Sequence, residues 1–207
     1  MKMMVLLCLV WLGCATPNLT SSWVDPGRVN SQFRKIAVVA IIHNEDSGMR
    51  KKMEDHLVKD LRAYGYEAVS FSRTFDPGQF PEDIRYDTAQ ARLLRTGVEA
   101  IITISLLDKQ QQEVFVKEPY NIPVKDKRSF WGYYKDVIDQ LDKGNYTNST
   151  NYYWEAQVFD LLQSDMIYRS TSAFFDENSK STMAHRYGKA IMADMKKQMV
   201  LGSKRPT

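Results

Sequence analysis

This sequence predicts a mixed α/β fold: a single three-layer domain in which three parallel strands are extended by an antiparallel hairpin, with helices on both faces. Three observations carry the prediction. Two stretches, residues 35–42 (KIAVVAII) and 98–107 (VEAIITISLL), are apolar at almost every position, as strands buried on both faces are. The segments between them carry helical periodicity, which supplies crossovers. Beyond them, residues 151–161 (NYYWEAQVFDL) and 166–175 alternate and are joined by Gln163-Ser164-Asp165, the pattern of a hairpin.

Taken in order, residues 15–34 are polar and lack a period, and read as a tether, with Trp23 and Val24 able to dock on the domain. After the strand at 35–42, Asp46 or Ser47 offers a helix N-cap. Met49, Met53, Leu57, Leu61 and Tyr64 then recur at helical spacing, with Arg50, Lys51, Lys52, Glu54, Lys59 and Arg62 between them. Gly65 fits the residue just past the helix end. Residues 67–71 form a short second strand. Pro81, Glu82 and Asp83 open a second helix that runs to about Thr96 and stops at Gly97. Right-handed crossovers lay the three strands parallel with the first in the middle. Residues 113–117 continue the third strand. An aromatic-rich insertion at about 118–150 follows, in which residues 130–141 suit a short helix. A last helix starts near Ser181, with Tyr187, Ile191, Met195 and Met199 as its buried stripe, and residues 202–207 form a tail.

The first fourteen residues, MKMMVLLCLVWLGC, place a positive Lys2 before a ten-residue apolar run, too short for a membrane-spanning helix. They read as an export signal over residues 1–13. Gly13-Cys14 resembles the lipobox of bacterial lipoproteins, with Trp11 where Leu is usual. Leu7 before Cys8 is too large for that role. The resemblance implies lipidation of Cys14, which becomes the first mature residue. Ala15 behind it, rather than an acid, implies the outer membrane, facing the periplasm. The domain would then span residues 35–201, tethered by 14–34. Once Cys8 is removed and Cys14 acylated, no thiol remains for a disulfide.

Composition is that of a globular chain: 43% hydrophobic, 26% charged and 12% aromatic. The formal net charge of +3 falls by one when Lys2 leaves, too weak a bias to argue for nucleic acid. The sequons at Asn18, Asn145 and Asn148 read as polar loop sequence. The order of elements, with Trp23-Val24-Asp25-Pro26, KIAVVAII, Glu54, Tyr64-Gly65-Tyr66, Gly97 to Ala100, and the closing hairpin with Val158 to Asp160 and Ile167 to Ser170, resembles uncharacterised bacterial lipoproteins whose mature domain is similar to the TolB amino-terminal α/β domain. That resemblance covers about residues 20–200 and brings no catalytic residues with it.

Two segments are candidate sites. His43, Glu45 and Asp46 follow the central strand, where open α/β sheets bind ligands, and their side chains suit a metal or acid–base chemistry. As structural residues they cap a helix instead, and the loop lacks a glycine-rich phosphate cradle. The second is the insertion, where Tyr120, Phe130, Trp131, Tyr133 and Tyr134 suit contact with another envelope protein or with sugars, in a loop held away from the membrane. Tyr152 and Trp154 share one strand face, so at least one of them belongs to the core. His56 and His185 lack spaced partners for zinc, and no nucleophile-elbow, P-loop or dinucleotide motif occurs. The basic residues Lys196, Lys197, Lys204 and Arg205 suit a helix C-terminus and a solvated end. The expectation is a non-enzymatic, membrane-anchored envelope lipoprotein, a protein-interaction or assembly module with no metal and no cofactor. The alternative is a small-ligand-binding or hydrolytic domain using the crevice at His43 to Ser47.

Overall fold

The structure, a computed structural model, describes residues 19–42, 47–76, 79–80, 84–117, 144–175 and 180–202. The described elements run β1 (Leu19–Val24), β2 (Lys35–Ile41), α1 (Ser47–Ala63), β3 (Glu67–Ser70), α2 (Phe71–Thr74), α3 (Tyr86–Arg95), β4 (Ala100–Lys117), β5 (Gly144–Asp160), β6 (Asp165–Phe175) and α4 (Lys180–Lys197). They build one six-stranded mixed sheet in the order β1-β6-β5-β4-β2-β3. β2 pairs parallel with β3 on one side and with β4 on the other, so the first predicted strand does lie in the middle of a parallel trio. β5, β6 and β1 extend the sheet antiparallel.

Strand alternation divides the apolar side chains between two layers. Ile36, Val38 and Ala40 of β2 point to one face, with Ala68, Ala100, Ile102, Ile104, Trp154, Ala156 and Val158. α1 and α4 cover that face through Met49, Met53, Leu57 and Leu61 and through Met183, Tyr187, Ile191 and Met195. The two helices run in the same direction, since His56 meets His185 and Tyr64 meets Lys196. Ala37 turns to the other face, where Phe75, Leu93, Val98 and Leu161 pack with Val69 and Ile101 under α3. The residues expected to share a strand face, Tyr152 and Trp154, are both buried, and Trp154 lies between the Tyr152 and Tyr187 rings.

Two helix ends follow from glycine. Past α1, Gly65 takes φ 94° while Tyr66 N donates to Leu61 O and Gly65 N to Arg62 O. Gly97 at φ 81° closes α3 in the same way, with Val98 N on Leu93 O and Gly97 N on Leu94 O. Both are Schellman closures, which need a left-handed residue just past the helix. α4 ends with the same hydrogen bonds around Met199 at φ 54°. Met199, expected on the buried stripe, therefore lies past the helix and is 54% exposed.

Other boundaries differ from expectation. Phe71 leaves the second strand and starts α2. β4 and β5 form one long ribbon whose pairing runs out to Lys117 and Gly144, inside the segment expected as insertion. Glu54, expected among polar residues of the helix surface, is 1% exposed. The largest difference lies near the amino terminus. Residues 19–24, read as tether, form an edge strand on β6, with Thr20 and Ser21 hydroxyls bonded to Thr171. Asp25 then caps a 3₁₀ turn at Pro26–Arg28, and Arg28 pairs with the buried Asp160. Asn30, Ser31 and Gly202 hydrogen-bond across the chain termini of the domain, Ser31 bridging Leu201. Val24 packs against the core, while Trp23 remains 48% exposed.

Candidate functional site

The crossovers from β2 to β3 and from β3 to β4 lie on opposite faces, since α1 belongs to one layer and α3 to the other. Open α/β sheets take ligands at the carboxyl ends of their strands, here beside the end of β2. A cavity of about 320 Å³ opens there, lined by Val39, Ala40, Ile41, Ile42, Arg50, Glu54, Phe71, Ser72, Phe75 and Phe80.

Its wall is aromatic. Phe71 opens α2, Phe75 follows it, and Phe80 joins them, with ring centroids 5.1, 5.1 and 5.7 Å apart pairwise. Such tilted and edge-to-face contacts hold rings in place. Val39 and Ile41 supply the sheet side, and Ile41 is 56% exposed.

Its floor is polar and comes from α1. Arg50 and Glu54 sit one turn apart and point the same way. Arg50 donates through Nη2 to the Ile42 carbonyl at 2.5 Å. Glu54 accepts from Ala40 N at 3.0 Å through Oε1. Its Oε2 accepts from Ser70 Oγ at 2.5 Å, Ser72 N at 3.0 Å and Ser72 Oγ at 2.7 Å. The reason is topological. β3 ends at Ser70, opposite Val38, so among the described residues Ala40 has no strand partner on that side. A buried backbone N–H must find another acceptor, and the Glu54 carboxyl group extends the ladder by one rung while holding the start of α2. The crevice is thus an apolar slot with Arg50 and Glu54 on its floor, Glu54 held by Ala40, Ser70 and Ser72. It suits an apolar group of a small molecule.

The site residues that the sequence suggested are not among those that line this cavity. His43, Glu45 and Asp46 lie outside the described residues, although Ile42 before them and α1 after them frame the crevice. Tyr120, Phe130, Trp131, Tyr133, Tyr134 and Cys14 also lie outside them. Among the described residues, no group of three His, Cys, Asp or Glu side chains is placed to hold a metal ion. His56 and His185, from different helices, meet with ring centroids 5.5 Å apart, and His56 Nε2 lies 3.4 Å from Ser181 Oγ. Burial, and then His185, lower the His56 pKa from its ordinary value, with Lys59 adding to the shift and Asp60 and Asp55 opposing it. The residues that sequence reasoning missed are Ser70, Ser72 and Glu54. The available signal was the four-residue spacing of Arg50 and Glu54 beside the apolar stripe, a spacing that surface ion pairs also show.

No protein-family model matches the chain, and no curated protein matches it. Solved structures similar to it include a PelC dodecamer from Paraburkholderia phytofirmans, 9% identical, covering 89% of this chain and 97% of that one, with a TM-score of 0.45. Lipoprotein GNA1162 from Neisseria meningitidis is 14% identical over 79% of this chain and 98% of its own, with a TM-score of 0.43. A minor lipoprotein from Acinetobacter baumannii is 9% identical over 78% and 94%, with a TM-score of 0.29. Bacterial lipoproteins are thus among the structures this chain is similar to. At these TM-scores and identities the likenesses carry no argument about its assembly or activity, and they do not bear on the TolB domain.

Proposed function

We propose that this chain is a lipid-anchored protein of the bacterial envelope, acting without catalysis as an interaction or assembly module. The observation that carries the reading is the amino-terminal sequence, a positive residue, a ten-residue apolar run and Gly13-Cys14. The domain is compatible with it, because β1 begins five residues after Cys14. Among the described residues no helix is long and apolar enough to cross a membrane. A fully acylated cysteine supplies the two or more chains that stable anchoring requires. Ala15 behind it supports the outer membrane, and a TolB-like role in envelope assembly belongs to the same proposal. The test is intact mass and membrane fractionation of wild type and Cys14→Ala expressed in a bacterium. Wild type is expected to pellet with membranes and carry an acyl mass, and Cys14→Ala to stay unprocessed or turn soluble. Equal behaviour of the two, without lipid, would end the proposal.

A second reading, small-ligand binding, is favoured by the crevice with its three phenylalanines and the Arg50–Glu54 floor. An anilinonaphthalene sulfonate dye should bind wild type with enhanced emission and lose it in Ser72→Phe, which fills the slot. Unchanged emission in a folded Ser72→Phe protein would rule out this site.

A further inference from the structure

Three features leave the sheet at the same end. β1 runs antiparallel to β6, β6 to β5 and β5 to β4. Leu19, the start of β1, therefore sits level with Ser172, Trp154 and Leu106, near the carboxyl end of β2, where Ile41 pairs with Ser105. The β4–β5 ribbon projects from that end. β2 covers β4 only as far as Ser105, and β6 covers β5 only as far as Asn151. Among the described residues, beyond Gln110 and Asn151 the two strands pair with each other alone, out to Lys117 and Gly144. The β5–β6 turn, the Arg28–Asp160 pair and the Ser31–Leu201 bridge lie at the opposite end.

The lengths then constrain the orientation. This step rests on the lipid-anchor reading. Five Cα steps separate Cys14 from Leu19, so the link reaches at most about 18 Å. From the level of Leu19 to Lys117 the ribbon runs about ten pairs, counting the irregularity between Leu106 and Asp108, or about 33 Å. The ribbon is longer than the link. Pointing it away from the bilayer would require the link to round the sheet, whose seven-residue β2 alone is about 23 Å long.

We propose that the distal part of the β4–β5 ribbon lies against the lipid surface that holds Cys14, as a second, peripheral contact that fixes how the domain stands on the membrane. The depth is the headgroup layer. Open strand edges are not tolerated in hydrocarbon, and Lys109, Gln110, Gln111, Gln112 and Glu113 are polar and mostly exposed. Among the described residues no third strand joins this part of the ribbon; a two-stranded ribbon is marginal in water, so a surface that accepts its edges stabilises it.

The acylated chain has no other thiol, so single cysteines can be placed cleanly. Gln112→Cys marks the ribbon and Gln163→Cys the opposite end; both wild-type side chains are exposed. The lipidated protein is reconstituted at low density in phosphatidylethanolamine–phosphatidylglycerol vesicles, labelled with bimane, and quenched with headgroup-nitroxide lipid. The proposal expects quenching at position 112 to exceed that at 163 by at least threefold. Equal or reversed quenching in protein that floats with the vesicles and carries the acyl mass overturns the proposal and leaves the anchor intact. Protection of position 112 from aqueous iodide without nitroxide quenching, growing with protein density, overturns it in favour of a second copy on the ribbon edges. Protein that neither floats nor carries lipid refutes the anchor reading, and the ribbon proposal falls with it.

Discussion

Replacing Glu54 by alanine tests the account of the crevice floor most directly. The carboxyl group takes four hydrogen bonds, two from backbone N–H groups and two from serine hydroxyls. The hydroxyls of Ser70 and Ser72 can rotate toward other acceptors. The Ala40 N–H cannot, because β3 has ended, and Ala40 is 4% exposed. The Ser72 N–H is fixed as well by the start of α2. A stranded buried donor costs about 1–3 kcal/mol, so the two together cost about 2–6 kcal/mol. Water entering from the open side of the slot offsets part of this, and the expected loss for Glu54→Ala is about 3–4 kcal/mol. Against a total stability of about 5–15 kcal/mol, that is a large fraction. The assay is equilibrium urea unfolding of the chain from Ala15 onward, followed by far-ultraviolet circular dichroism and tryptophan fluorescence together. With an m-value of about 2 kcal/mol/M the midpoint should fall by about 1.5–2 M with the slope unchanged. Glu54→Gln keeps one acceptor oxygen but sets an amide donor toward Ser72 N, and should fall between alanine and wild type. Ser72→Ala keeps the backbone bond and should cost about 1 kcal/mol. A loss below 1 kcal/mol for Glu54→Ala would refute the argument that Glu54 completes the sheet.

Three further outcomes follow from described geometry. His56 has its folded pKa lowered, first by burial and then by His185, so the unfolded chain binds the proton more tightly. Stability is then fully present above the unfolded value of 6.5 and falls as pH drops from there through the lower folded value; His56→Gln should flatten that acid limb in thermal melts at pH 5–7, and an unchanged limb would contradict it. Met199 holds a left-handed conformation while exposed, so Met199→Gly should raise stability by about 0.5–1 kcal/mol, about 1–4 °C in Tm, whereas a lower Tm would show that the side chain contributes more than its backbone strain costs. Among the described residues, Arg28→Ala leaves the buried Asp160 with the Leu162 and Gln163 N–H groups; a loss of about 1–3 kcal/mol and faster proteolysis near β1 are expected, and resistance equal to wild type would show that β1 stays without this clasp.

The parallel core was legible because its signals are local and dense. KIAVVAII and VEAIITISLL have no polar face to offer water, so burial on both sides was the available solution, and the helical segments between them supplied the crossovers that let the strands pair parallel. The hairpin was legible from its alternation and its turn. The edge strand β1 was not. LTSSWV has no apolar alternation, and four of its six residues remain exposed. It is a strand because β6, some 150 residues away, leaves an edge for it, and because Arg28 finds Asp160.

The candidate site divides in the same way. The sequence pointed to the carboxyl end of the central strand, where open α/β sheets take ligands, but its candidates there, His43, Glu45 and Asp46, lie outside the described residues. The chemistry of the crevice was not legible, because Glu54 reads as one more charged residue on a helix until β3 is seen to stop at Ser70, so that the Ala40 N–H is taken by the Glu54 carboxyl group. Sequence alone determined the apolar segments and the helix stops at Gly65 and Gly97, since each depends on residues a few positions apart. Only the tertiary structure decided which buried N–H needs a side-chain acceptor, and that the ribbon leaves the sheet beside the amino terminus, because both follow from how distant strands fall into register.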